Sequence, residues 1–211
     1  TIGETTNTAP NLTLNNPSDG ETEVSLSPNL NVTALDQDLD SMNVSLYRDY
    51  TDSFPLKTEL TETLDLFSVY SVYADSDYVY TGGGDDKVQV YYKNNFSFKK
   101  GLSDAGSVVK SVYADLDYIY AGTFDNNVWV YYKNNLSLAT ELTQAGHWVL
   151  SVYADRDYIY SGGLDDKVQV YYKNNLSFKQ NLTQAGAGVS SVYADSDYVY
   201  AGGDDNKVQV Y

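Results

Sequence analysis

From about residue 70 the chain is built of short runs rich in β-branched and aromatic residues, each cut off by Gly, Asp or Asn. Ser71-Val72-Tyr73-Ala74 stops at Asp75-Ser76-Asp77. Tyr78-Val79-Tyr80 stops at Gly82-Gly83-Gly84-Asp85-Asp86, and Lys87-Val88-Gln89-Val90-Tyr91-Tyr92 stops at Lys93-Asn94-Asn95. Phe96-Ser97-Phe98-Lys99 then runs toward Asp104-Ala105-Gly106. Such residues fit a pleated, half-buried surface and such breakers supply turns, so the pattern predicts four short strands. No window carries the apolar stripe of a helix.

The pattern then repeats. Ser71–Asp75 returns as Ser111–Asp115, Ser151–Asp155 and Ser191–Asp195, a period of 40 residues without drift. Segments 71–110 and 151–190 are identical at 28 of 40 positions. Four strands per 40 residues is the period of a β-propeller blade, so the expected fold is all-β: a propeller of four-stranded blades over 51–211, as repeats 71–110, 111–150, 151–190 and 191–211.

Here the sequence resembles the WD-repeat propeller family. Gly203-Asp204-Asp205-Asn206-Lys207-Val208-Gln209-Val210-Tyr211 is similar to that family's turn into its third strand. The family's Trp-Asp pair falls on Tyr91-Tyr92, Tyr131-Tyr132 and Tyr171-Tyr172, so the signature dipeptide is missing. Its Gly-His pair is matched only by Gly146-His147. The resemblance implies a divergent propeller over about 53–211 and says almost nothing of function. It also implies that the closing blade takes its outer strand from elsewhere in the chain. Ser53–Thr61 matches Leu136–Thr143, so residues 53–62 are expected to supply the outer strand of the blade begun at 191. Four blades would then close. Two chains sharing a ring of eight, or an open array joined strand to strand between subunits, are the alternatives.

Residues 1–50 read differently. Residues 1–9 are polar, and Pro10–Leu14, Asn29–Ala34 and Asn43–Tyr47 alternate like half-buried strands around the turn Asn16-Pro17-Ser18-Asp19-Gly20. This stretch resembles the opening of an immunoglobulin-like or fibronectin type III-like module of microbial surface proteins. Such a module needs about seven strands. Some three are expected here, so the segment either packs on the propeller or is completed by a neighbouring subunit's strands.

Composition narrows the chemistry. There is no Cys, so disulfides and Cys-based metal sites are impossible; the one His excludes multi-His sites. With 29 acidic and 13 basic residues the formal charge is −16, which argues against nucleic acid and against anionic lipid. No apolar run reaches the ~18–20 residues of a membrane helix. The chain opens Thr1-Ile2-Gly3-Glu4 without Met, which fits a mature chain whose leader has been removed.

Four groups of residues are candidate sites. Asp36, Asp38 and Asp40 place three carboxylates at alternate positions, a spacing that can converge on Ca²⁺, although the Gly and distant Glu of an EF-hand loop are missing. Asp75/Asp77 and their copies could do paired-carboxylate chemistry, but recurrence in every blade favours a structural turn. Trp129 stands where the other blades have Gln89, Gln169 and Gln209, and His147 and Trp148 belong to the same odd repeat. They form a candidate interaction patch, with gap-filling as the alternative. Asn-X-Ser/Thr sequons occur at Asn11, Asn31, Asn43, Asn95, Asn135, Asn175 and Asn181; in a secreted archaeal or eukaryotic protein these would carry glycans.

No catalytic constellation, phosphate loop or dinucleotide fingerprint is present, so no enzyme activity and no organic cofactor is expected. The expected function is that of an extracellular structural protein, a subunit of a cell-surface layer or filament joined to copies of itself by strand exchange. The alternative is an adhesin or lectin that binds cell-surface glycans or proteins through repeated Tyr-rich sites.

Overall fold

The computed structural model describes residues 11–16, 31–35, 56–60 and 68–211. The chain divides into two units, 1–55 and 56–211. In the first, strand β1 (Asn11–Asn16) pairs antiparallel with β2 (Asn31–Leu35), with a register break between Leu14 and Asn16. Two of the three strands expected there are thus described. Asn43–Tyr47 lies outside the described residues.

The second unit is a series of antiparallel sheets. The first blade is β3 (Val69–Ala74), β4 (Tyr78–Gly83), β5 (Val88–Tyr92) and β6 (Phe98–Leu102). The second is β7 (Val109–Ala114), β8 (Tyr118–Thr123), β9 (Val128–Tyr132) and β10 (Leu138–Leu142). The third is β11 (Val149–Ala154), β12 (Tyr158–Gly163), β13 (Val168–Tyr172) and β14 (Ser177–Leu182). The fourth has three strands, β15 (Val189–Ala194), β16 (Val199–Gly203) and β17 (Val208–Val210). Successive strands pair by hairpins, and the first strands of neighbouring blades, β3, β7, β11 and β15, pack side by side.

Of the strand ends that differ from the pattern reading, two have a clear physical reason. The outer strand begins at Phe98 rather than Phe96, because Phe96 (φ 59°) and its copies Leu136 and Leu176 take the left-handed conformation inside the turn. The second strand runs on through Gly82 and Gly83 rather than stopping there. These glycines are a packing requirement. A Cβ on Gly82 would lie 2.5 Å from Val109 Cγ1, and one on Gly162 would lie 2.5 Å from Val189 Cγ1.

The core lies between blades rather than inside them. Val88, Val90 and Leu102 of the first blade bury against Val109, Val112, Ala114 and Ile119 of the second. The second and third blades repeat this with Val128, Val130 and Leu142 against Val149, Val152, Ala154 and Ile159. The third and fourth do so with Val168 and Val170 against Val189, Val192 and Ala194.

Polar contacts fix the same spacing. Ser71, Ser111 and Ser151 each accept, at Oγ, the backbone N–H of the valine on the next blade's first strand, at 2.9–3.0 Å. Tyr73, Tyr113, Tyr153 and Tyr193 form a ladder with ring centroids 4.8–4.9 Å apart. Lys133 reaches back to Asp75 at 2.8 Å, and Lys173 to Asp115 at 2.6 Å. Each of these pairs joins one blade to the next.

The repeated Asp turns have a structural role. Asp75 Oδ1 accepts the backbone amides of Asp77 and Tyr78, and Oδ2 accepts the hydroxyl of the fully buried Tyr80 at 2.8 Å. The same bonds recur at Asp115, Asp155 and Asp195. Burial alone would raise the Asp75 carboxyl. Lys133, the two amides and the Tyr80 hydroxyl outweigh it and hold the group below the usual carboxylate range. Burial, with the adjacent Asp carboxylate, pushes the phenols of Tyr80, Tyr120 and Tyr160 far up. Burial pushes Tyr171 up to about 12.

Two predictions follow from these contacts. Gly122→Ala places a Cβ 2.7 Å from Val149 Cγ1 and 2.8 Å from Val152 Cγ1. Such overpacking should destabilise the fold by about 1–3 kcal/mol, read as a lower urea midpoint. An unchanged midpoint would contradict the interblade core. Stability should also depend on pH at both ends of the scale. The Asp75 contribution is present above the unfolded carboxylate pKa of ~4 and is lost as pH falls through the lower folded value. The buried phenols contribute fully below the free tyrosine pKa of ~10, and that contribution is lost as pH rises above it toward their raised folded values. Circular dichroism and phenolate absorbance should therefore change together in alkali. A β signal that survives full ionisation of the phenols would refute this account.

Candidate interaction surfaces

Asp36, Asp38, Asp40 and Asn43 lie outside the described residues. Asn11 opens β1 opposite Leu35, and Asn31 opens β2 opposite Asn16. Asn95, Asn135 and Asn175 are exposed at the turn before the outer strand. In each, Oδ1 accepts both the backbone N–H and the hydroxyl of the Ser two residues on, at 2.7–3.1 Å. This Asx turn holds the middle residue in its left-handed conformation, so Asn and Ser at this spacing already have a local structural role. The bonds use Oδ1 only and leave Nδ2, the atom a glycan would take, outside them. Asn181 is exposed within β14.

The odd repeat resolves into two separate features. Trp129 is half-buried on β9 and packs against the first interblade core. Its Nε1 donates to Asp125 Oδ2 at 3.1 Å. Gln89, Gln169 and Gln209 make the same donation to Asp85, Asp165 and Asp205 at 2.6–2.7 Å, so the indole substitutes for the amide. Trp148 is partly exposed and stacks flat on Phe124, with centroids 4.1 Å apart and planes 12° apart. His147 meets Trp148 edge-on, and its Nδ1 accepts the Trp148 backbone N–H at 2.8 Å. No ring contact joins Trp129 to these three among the described residues. Phe124 was not singled out in the sequence, although it also breaks the repeat: its counterparts are Gly84, Leu164 and Asp204.

A cleft of about 1090 Å³ opens between the second and third blades, lined by Tyr113, Tyr118, Tyr132, Tyr153, Tyr172 and Lys173 and edged by the Asp turns. A smaller one of about 620 Å³ lies between the third and fourth. Their walls are the tyrosine ladder and the turns already described, so the clefts are a by-product of blade spacing that nonetheless presents aromatic faces beside carboxylates. Among the described residues no three His, Asp or Glu side chains converge as metal ligands would.

The two ends of the blade series expose valines that are buried in every other blade. Val69 and Val72 are 66% and 67% exposed, whereas their counterparts Val109, Val149, Val189, Val112, Val152 and Val192 are 0–6% exposed. At the other end Val208 and Val210 are 66% and 55% exposed, against 0–3% for Val88, Val128, Val168, Val90, Val130 and Val170. The first and last blades do not pack on each other as neighbouring blades do. Beyond β17 no fourth strand is present among the described residues, and Leu56-Lys57-Thr58-Glu59-Leu60 is unpaired and largely exposed. That segment matches Leu138-Ala139-Thr140-Glu141-Leu142, which is strand β10, at four of five positions.

No family model and no curated protein matches the chain. Solved structures do. The computationally designed Ika4 protein superposes with a TM-score of 0.67 at 15% identity, over 74% of this chain and 98% of that one. The computationally designed Ika8 protein gives 0.64 at 15% identity, over 68% of this chain and 45% of that one. The WD40 β-propeller domain of Doa1 gives 0.61 at 20% identity, over 68% of this chain and 50% of that one. The chain thus spans about half the length of the last two. At these identities the likeness establishes the fold, a β-propeller of repeated four-stranded blades.

Proposed function

We propose that this chain is a non-enzymatic extracellular structural protein, a subunit of a cell-surface layer or filament joined to its neighbours by β-strand exchange. The observation that carries the reading is a segment with the sequence of an outer strand that belongs to no sheet among the described residues. A strand edge with unpaired amides and carbonyls is a template for another strand. The segment Leu56–Leu60 has the sequence of an outer strand and no strand partner among the described residues. Residues 1–50, on this reading, are the partial immunoglobulin- or fibronectin III-like module of a surface protein, and the exposed Asn95, Asn135 and Asn175 carry glycans in the native material. A charge of −16 keeps such subunits soluble before assembly.

Electron microscopy of the protein should show regular polymers. Thr58→Pro removes a ladder N–H from the exchanged segment and should abolish them while leaving the protomer's melting temperature unchanged. A wild-type chain that stays monomeric at high concentration would overturn the reading.

A second reading, a propeller adhesin or lectin, is favoured by the cleft between the second and third blades, where Tyr132 and Tyr172 present partly exposed rings beside Asp117 and Asp157. On a glycan array it predicts selective binding that is lost in Tyr132→Ala. An array without selective binding would remove it.

A further inference from the structure

We propose that the exposed face of the first blade and the exposed face of the last blade are two halves of one interface, and that the occupant of each is the opposite face of a second copy of this chain. The proposal deepens the reading of a self-assembling subunit and rests on it only in that copies must associate. Strand exchange is not required for the faces to dock.

The argument is residue by residue. The interface is already built three times inside the chain, and both halves of a fourth are left open. At each internal interface a valine of the incoming first strand fills the space over a glycine: Val109 over Gly82, Val149 over Gly122, Val189 over Gly162. Gly202 is the fourth such glycine, and nothing lies within 4 Å of where its Cβ would be. Val69 is the fourth such valine, and it is exposed. Docked as the internal blades dock, Val69 of the second copy covers Gly202, and Val72 packs on Val208 and Val210.

The polar contacts continue in the same register. Ser71, Ser111 and Ser151 each accept the N–H of the valine one blade on; Ser191 is left for Val72 of the second copy. The tyrosine ladder ends at Tyr193, and Tyr73 of the second copy is the next rung. Lys133 and Lys173 pair with the Asp of the preceding blade. Lys93, their counterpart, donates among the described residues to the Asp75 carbonyl of its own blade and makes no ion pair there, so its ammonium can reach the Asp195 carboxylate across the new interface. Each open group on one face thus has its complement on the other. Such a contact is heterologous: two copies can close on each other or continue as a polymer.

The glycine gives a test that separates docking from folding. Gly202→Ala adds a methyl to open space, so the protomer's melting temperature should not fall, unlike that of Gly122→Ala. In the assembly the same methyl collides with Val69 of the neighbour and should weaken association by roughly tenfold or more, measured by analytical ultracentrifugation. The chain has no Cys, which permits a second measurement. A Val69→Cys chain mixed with a Gly202→Cys chain should form a crosslinked heterodimer, since the internal Cβ–Cβ separations at this pair are 3.1–3.3 Å, close to disulfide reach. Neither variant alone should do so.

If the wild type assembles, Gly202→Ala assembles equally well and no heterodimer crosslinks, the face-to-face interface is wrong while the assembling-subunit reading stands. If the double variant Val69→Cys/Gly202→Cys crosslinks within a monomer, the chain closes its own ring and a second copy is not the occupant. A wild type that is monomeric at every concentration overturns both.

Discussion

A blade of this protein cannot bury its own apolar residues. Its four strands form one twisted sheet, and a single sheet has two faces and nothing between them. Only another blade can cover Val88 and Val90, and only a preceding blade can cover Val109 and Val112. The rest follows from this. The three cores straddle blade boundaries, glycines sit where one blade's strand must admit the next blade's valine, and the serine, tyrosine and lysine contacts run between repeats. The first and last blades each leave a face uncovered for the same reason: among the described residues each packs on a neighbour on one side only.

Much of the fold was legible because the 40-residue period repeats the same strand-and-turn text four times, and a misread turn in one blade is corrected by its copies. Phe96 looked like a strand residue because apolar residues usually are. The Asx turn from Asn95 overrides that preference, and the fact that Leu136 and Leu176 are also not β-branched was the signal available. Gly82 and Gly83 looked like turn residues because glycine usually is. For Gly82 the reason is the approach of Val109, 27 residues away, and for Gly83 the backbone carbonyl of Ser68, contacts for which a strand pattern has no sign.

The site was less legible. Trp129, His147 and Trp148 stand out in the sequence because they break the repeat. Departure from the repeat identifies such residues but not what each departure does. Trp129 keeps the donor role of the Gln it replaces, whereas Trp148 gains a partner in Phe124. The more consequential residues are ordinary ones, Val69, Val72, Gly202, Val208 and Val210. They match their counterparts in the sequence and differ only in having nothing packed on them. Exposure is a property of position in the series, so no reading of the repeat text could set them apart.

Near-identical blades create a hazard of misdocking. Where every interface is alike, any blade can dock on any other, within a chain or between chains, and misregistered or swapped arrangements cost little. The position that meets the next blade beyond the second strand varies in a matched way. Phe124 stacks on Trp148, and Leu164 lies where a Cβ on Gly188 would come within 2.8 Å of it. The large pair stands at the middle interface. Trp148 set against Gly84 would lose its stacking partner, and Phe124 set against Gly188 would leave its face uncovered. At the ends the same position holds Asp204 and Ser68, small and polar, which add no apolar surface to faces that already expose four valines. The valines and glycines common to all repeats therefore supply the adhesion, and the residues that depart from the repeat make the middle interface unlike the others.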